Sequence, residues 1–154
     1  MTQREGQSQR QTTEQIRAVQ AWDAIIDIQD NYPNAAGKYG TLARGLPAMI
    51  QTNGLAVTAV FLASKPLGER DKNREHERIL AHLGTRLQFV LGSSDLMTFI
   101  RSASTDQYRR ATAELITYAT WLKRYAEAKG WKSSEGEGDG MDMAAFNFPE
   151  YSVE

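Results

Sequence analysis

Chemistry in this 154-residue sequence would have to come from two histidines, a trio of aspartates at helical spacing and a scatter of arginines and lysines. His76 and His82 lie six residues apart, which on a regular helix turns their imidazoles about 240° away from each other. A helical zinc site needs its two histidines four apart on one face. These two are therefore expected as solvated or helix-surface histidines, not as ligands of one ion. Asp23, Asp27 and Asp30 fall at spacings of four and three, so two or three of them could face a hard cation such as Mg²⁺. They sit opposite the apolar stripe of their segment, which predicts a hydrated acidic face. A small metal-dependent hydrolase using Asp23 and Asp27 is the weakest of the readings the sequence allows.

Other chemistries are excluded by composition. The chain has no cysteine, so disulfides, thiolate metal sites and a cysteine nucleophile are absent. The glycine-rich run Gly136-Glu137-Gly138-Asp139-Gly140 is acidic and would repel phosphate rather than cradle it. No apolar run approaches the ~18 residues of a membrane-spanning helix, so no membrane partner is expected. The first residues have no apolar signal core, and a cytoplasmic location is the expectation. No catalytic residue, metal or cofactor is assigned, and the chain is expected not to be an enzyme.

The elements that would position the remaining candidates are helical. Residues 1–12 are polar and read as a flexible arm. From Thr13, Ala18, Ala21, Trp22, Ile25, Ile28 and Tyr32 recur at spacings of three and four and share one face. Pro33 ends that helix. A second helix is predicted from Ala36 to Arg44, closed by Gly45, with Pro47 opening a short third helix. Asn53-Gly54 breaks it, and Leu55–Ala63, apolar on nearly all sides, predicts a helix buried in the middle of a bundle. Residues 66–73 form a polar loop. A helix from Arg74 to Leu91 follows, with Leu80, Leu83, Leu87 and Val90 or Leu91 inward. Ser93 or Ser94 then caps a short helix through Ile100, and Ser104 or Thr105 caps the last, which runs to Lys129 and stops at Gly130. The whole predicts an all-α, compact single-domain bundle of about six helices over residues 13–131. Residues 132–154 are expected as an acidic, disordered tail with aromatics Phe146, Phe148 and Tyr151 near its end.

Charge divides along the same boundary. Residues 133–154 carry six acidic side chains and no basic ones, whereas residues 1–132 carry 18 basic against 13 acidic. The expected body is thus cationic by five charges, which suits a polyanionic partner without requiring one. Arg74 and Arg78 share a helix face; Arg109, Arg110, Lys123 and Arg124 decorate the last helix. Arg110 and Glu114 are four apart and can pair on its surface.

The stretch Leu46-Pro47-Ala48-Met49-Ile50-Gln51-Thr52-Asn53-Gly54-Leu55, followed by Phe61-Leu62-Ala63-Ser64-Lys65, resembles the small-subunit family of the type III-B (Cmr) CRISPR effector complex. So does Tyr108-Arg109-Arg110-Ala111-Thr112-Ala113-Glu114, continuing to Trp121-Leu122-Lys123-Arg124-Tyr125-Ala126-Glu127-Ala128. The resemblance spans residues 14–129 and leaves out the arm and the acidic tail. It implies a non-catalytic subunit in antiviral defence, stacking on copies of itself beside backbone subunits, next to guide RNA paired with target RNA. Carried over by position, the expected RNA-binding or subunit-contact residues are Arg17, Lys38, Arg44, Lys65, Arg109, Lys123 and Arg124. The alternative is a helical protein-interaction module unrelated to RNA.

Overall fold

The computed structural model describes residues 11–93 and 95–133. Among them are six α-helices and no strand: α1 (Thr13–Asn31), α2 (Ala36–Asn53), α3 (Leu55–Ser64), α4 (Arg74–Leu91), α5 (Leu96–Ser102) and α6 (Thr105–Ala128). Single-turn 3₁₀ segments at Pro33–Ala35 and Glu69–Asp71 serve the α1–α2 and α3–α4 connections. The expected all-α bundle is therefore what the chain forms. The arm through residue 10, Ser94 and the tail from residue 134 lie outside the described residues.

Two helix starts follow from side-chain capping. Thr12 and Gln15 form a reciprocal capping box at α1, and Ser104 and Gln107 do the same at α6. Thr12, assigned to the arm on composition, is thus the cap of the first helix. At α5 the cap is neither serine: the Asp95 carboxylate accepts from the amides of Met97 and Thr98. A carboxylate at this place also meets the positive end of the helix dipole, which a hydroxyl cannot do.

The largest departure from expectation is α2. Gly45 does not close a helix and Pro47 does not open one; a single helix runs through both. An internal proline forfeits one backbone hydrogen bond and costs ~3 kcal/mol. Against that, Leu42, Ala43, Leu46, Met49 and Ile50 continue one apolar stripe across the site and are all buried. Burying Leu46 and Ile50 alone returns ~1.5–3 kcal/mol each, so continuity wins. Gly54 then turns the chain at φ +88°, and its amide closes α2 on Ile50.

α6 is the central rod, packed on α2, α1 and α4. The more apolar α3 lies instead to one side, against α2, α4 and α5. Leu55, Thr58, Ala59, Phe61 and Leu62 are buried there, while Ala56, Val57 and Val60 remain half-buried and Ala63 is exposed. With only ten residues, α3 is too short to contact all its neighbours from a central position. On α4 the inward stripe is Ile79, Leu83 and Leu87; Leu80 only borders it, and His76, His82 and Arg86 are buried with it.

Candidate nucleic-acid interface

The seven cationic residues expected to touch RNA or neighbouring subunits fall into two groups. In one, the charge is already engaged by the protein. Arg17, on α1, donates from Nε and Nη2 to the two carboxylate oxygens of Glu114 at 2.7 and 2.8 Å. Arg44, on α2, donates from Nε and Nη2 to the Trp131 carbonyl at 3.3 and 3.1 Å. Arg124 is well exposed on α6 and pairs with Glu127 at 3.0 Å. Such a surface pair is weak, so Arg124 can leave it at little cost.

In the other group are Lys38, Lys65, Arg109 and Lys123, whose cationic heads meet no carboxylate within ion-pair distance among the described residues. Arg109 and Lys123 lie 14 residues apart on α6, about 21 Å along its axis and within about 40° of one meridian. Lys65 projects from the end of α3, its ammonium 5.5 Å from the centre of the Phe61 ring. Phe61 in turn packs on His76, and His76 adjoins Glu75, whose carboxylate feels Lys38. The structure therefore gathers Lys38 and Lys65 at the α4 N-terminal end of the bundle, while Arg109 and Lys123 mark a separate line along α6.

Of the other cations considered, Arg74 and Arg78 are internally paired, while Arg110 has no carboxylate partner among the described residues. Glu114 does not pair with Arg110 as spacing suggested; it takes Arg17 and also Arg86, whose Nε donates to Oε1 at 2.7 Å. Arg86 is 1% exposed, and its Nη1 donates to Gln20. Burial pushes the Glu114 carboxyl up, but the two guanidinium groups outweigh it and hold the carboxyl below its usual range. Arg74 and Arg78 both stack on Tyr32 and are tied to Asp71, Glu77 and Asp27.

Both histidines are buried, contrary to the expectation of surface histidines. His82 bridges the Tyr39 hydroxyl at Nδ1 and Asp27 at Nε2, each at 2.8 Å. A neutral ring donating to Asp27 and accepting from Tyr39 satisfies all three groups. Burial lowers the His82 pKa despite the raising influence of Asp27. His76 Nδ1 lies 3.1 Å from Glu75 Oε1, a close approach that is not aligned as a hydrogen bond. Asp27 is half-buried in these pairings, while Asp23 and Asp30 are exposed. Among the described residues no group of three or more histidine and carboxylate side chains is placed to hold a metal ion. No described helix is long and apolar enough to cross a membrane.

Arg86, His82 and Trp131 were not singled out in the sequence as contact residues. For Arg86 the signal was present: positions 79, 83 and 86 share a face, so an arginine there had to enter the core with a partner. Trp131 had no such signal, because its seat is made by absent atoms. A Cβ on Gly40 would lie 2.4 Å from the Trp131 carbonyl oxygen, and one on Gly37 would lie 2.8 Å from that of Lys132. Ser133 follows, buried, with its amide donating to Thr41 Oγ1 at 2.7 Å.

Residues 13–129 match the model of a family of CRISPR-associated proteins, Cas_Cmr5. A protein of Thermus thermophilus, named CRISPR system Cmr subunit Cmr5, is 29% identical over 120 residues, covering 76% of this chain and 95% of the relative.

Proposed function

The chain belongs to the Cmr5 family of CRISPR-associated proteins, making it a small subunit of a type III-B (Cmr) CRISPR effector complex, and we propose that it serves there without catalysing any reaction. In this reading it stacks on copies of itself beside the backbone subunits and contacts guide and target RNA through its cationic surface, in the cytoplasm. The observation that carries it is that four of the seven candidate cations have neither a carboxylate partner nor an internal hydrogen bond among the described residues. Lys38, Lys65, Arg109 and Lys123 meet no carboxylate among the described residues, so phosphate can replace water around them without breaking an internal pair. Phosphate binding by such groups releases counterions whatever the RNA sequence. Arg124, held by one weak surface pair, joins them readily. Arg17 and Arg44 act as positioning residues, the first joining α1 to α6 and the second holding Trp131 on α2.

The test is titration of single-stranded and duplex RNA into the purified chain across salt concentrations, with Lys65→Glu, Arg109→Glu and Lys123→Glu variants. Affinity is expected to fall for both RNA forms in each variant, with helicity by circular dichroism unchanged. RNA affinity that is indifferent to all three reversals overturns the assignment. Retained capture of other Cmr subunits in that case would favour a protein-interaction role unrelated to RNA.

A further inference from the structure

The family match ends at residue 129, yet the chain continues onto α2 in an ordered way. Gly130, at φ +69°, turns it out of α6. Trp131 to Ser133 then lie across α2, held by Arg44 and by Thr41 and admitted by Gly37 and Gly40. This is a built track: two glycines on one helix face permit a backbone approach that any larger residue would block. The track leaves Ser133 over Thr41, and Thr41 is the first residue of an open groove of about 290 Å³ along the same helix. Its rim is Gly45, Ala48 and Thr52, and buried Leu42 and Met49 form an apolar floor.

We propose that this groove is the seat of the chain's own C-terminal segment, with Phe146 and Phe148 on its apolar floor. Reach permits it. Thr41 to Asn53 spans about 18 Å of helix, well within the ~43 Å that the 13 residue steps from Ser133 to Phe146 can cover at full extension. Because the segment belongs to the same chain, its docking is an intramolecular step. A contact too weak to hold a free peptide is then enough. Charge agrees as well. The six acidic residues from Glu135 to Glu154 come without a basic one, and Lys38 and Arg44 each stand three residues from Thr41 on α2. The proposal does not depend on RNA binding.

The absence of native cysteine makes the test clean. In the full chain, without RNA, an Ala48→Cys/Asn147→Cys pair is oxidised mildly and the rate of intrachain disulfide formation is followed. Adding Phe146→Ser and Phe148→Ser is expected to slow that rate at least tenfold, since the tether is unchanged and only the anchors are lost. Equal rates overturn the proposal, as does a disulfide that forms only between two chains. In nitrogen-15 spectra of the cysteine-free chain, the same two serine substitutions are expected to shift the amides of Thr41, Gly45, Ala48 and Thr52. An unchanged set of these amides also overturns it.

Discussion

Glu114→Gln is the sharpest test of how the bundle is held together. Three hydrogen bonds reach this carboxylate at 2.7–2.8 Å, from Nε and Nη2 of Arg17 and Nε of Arg86, and Arg86 Nη2 also lies in ion-pair contact with it. Glutamine keeps one acceptor oxygen but turns an NH₂ group toward a guanidinium, and it removes the negative charge that faces the buried Arg86. Breaking a buried pair in this way costs ~3–5 kcal/mol, because the remaining charge cannot reach water. For a domain of this size that lowers Tm by about 10–20 °C. The measurement is urea and thermal unfolding by circular dichroism at several pH values. The pH dependence has a definite sign. The folded Glu114 carboxyl lies below its unfolded value of ~4.3, so its contribution is complete above that value and is lost as pH falls through the folded pKa. The gap between parent and variant must therefore narrow below about pH 4. Arg86→Met combined with Glu114→Leu should recover much of the loss, since Arg17, 14% exposed, can turn to solvent. A loss under about 1 kcal/mol at pH 7, or a gap that is flat with pH, refutes the account.

Two glycines on α2 should respond in opposite directions to the same substitution. Gly45→Ala meets nothing within 4 Å and is expected to stabilise the domain by ~0.5–1 kcal/mol through helix propensity alone. Gly40→Ala gains the same propensity but collides with the Trp131 carbonyl, and a net loss of ~1–3 kcal/mol is expected, with faster amide exchange at Ser133. Denaturant midpoints of the two variants check both signs. Replacing His82 with Gln should remove a slope in stability that sets in as pH falls through about 6.5. The folded ring resists protonation while the unfolded one titrates near 6.5, so parent stability falls as pH drops through that value and continues down to the lower folded pKa. Urea midpoints at pH 5, 6 and 7 measure the slope in each chain.

Much of this fold is legible because apolar spacing and cap chemistry are local. Thr12 and Ser104 start helices through side chains three residues from their partners, and Gly54 and Gly130 stop them with positive φ. The errors arise where a distant contact decides. Pro47 and Gly45 look like a boundary in any short window, and only the burial of Leu42, Leu46 and Ile50 against α6 and α4 keeps α2 whole. The candidate site was less legible for the same reason. Arg110 and Glu114 are well spaced to pair, yet Glu114 is claimed by Arg17 from 97 residues away and by Arg86 from 28. His76 and His82 look polar and external, but each lies three residues from Ile79 and is carried into the core with it. Charge type is readable from sequence; whether a charge is already neutralised depends on partners that only folding brings near.

That distinction sets a number for the proposed RNA contact. Each phosphate neutralised on duplex RNA, taken at the value for duplex DNA, lowers the logarithm of affinity by about 0.9 per decade of salt, and on a single strand by about 0.7. Lys38, Lys65, Arg109 and Lys123 acting alone would give a slope of about −3 to −4 on one copy of the chain. Enlisting Arg17, Arg74, Arg78 and Arg86 would roughly double it, but each of these must first abandon a carboxylate, and for Arg86 that also exposes a buried network. A slope near −3 on single-stranded RNA, reduced by about 0.7 in each of Lys65→Glu, Arg109→Glu and Lys123→Glu, therefore fits a surface that binds without unravelling its own ion pairs. A slope of about −6 on single-stranded RNA in a single copy, accompanied by loss of the Arg17–Glu114 contact, would mean that RNA remodels the bundle and that the division between engaged and available cations is wrong.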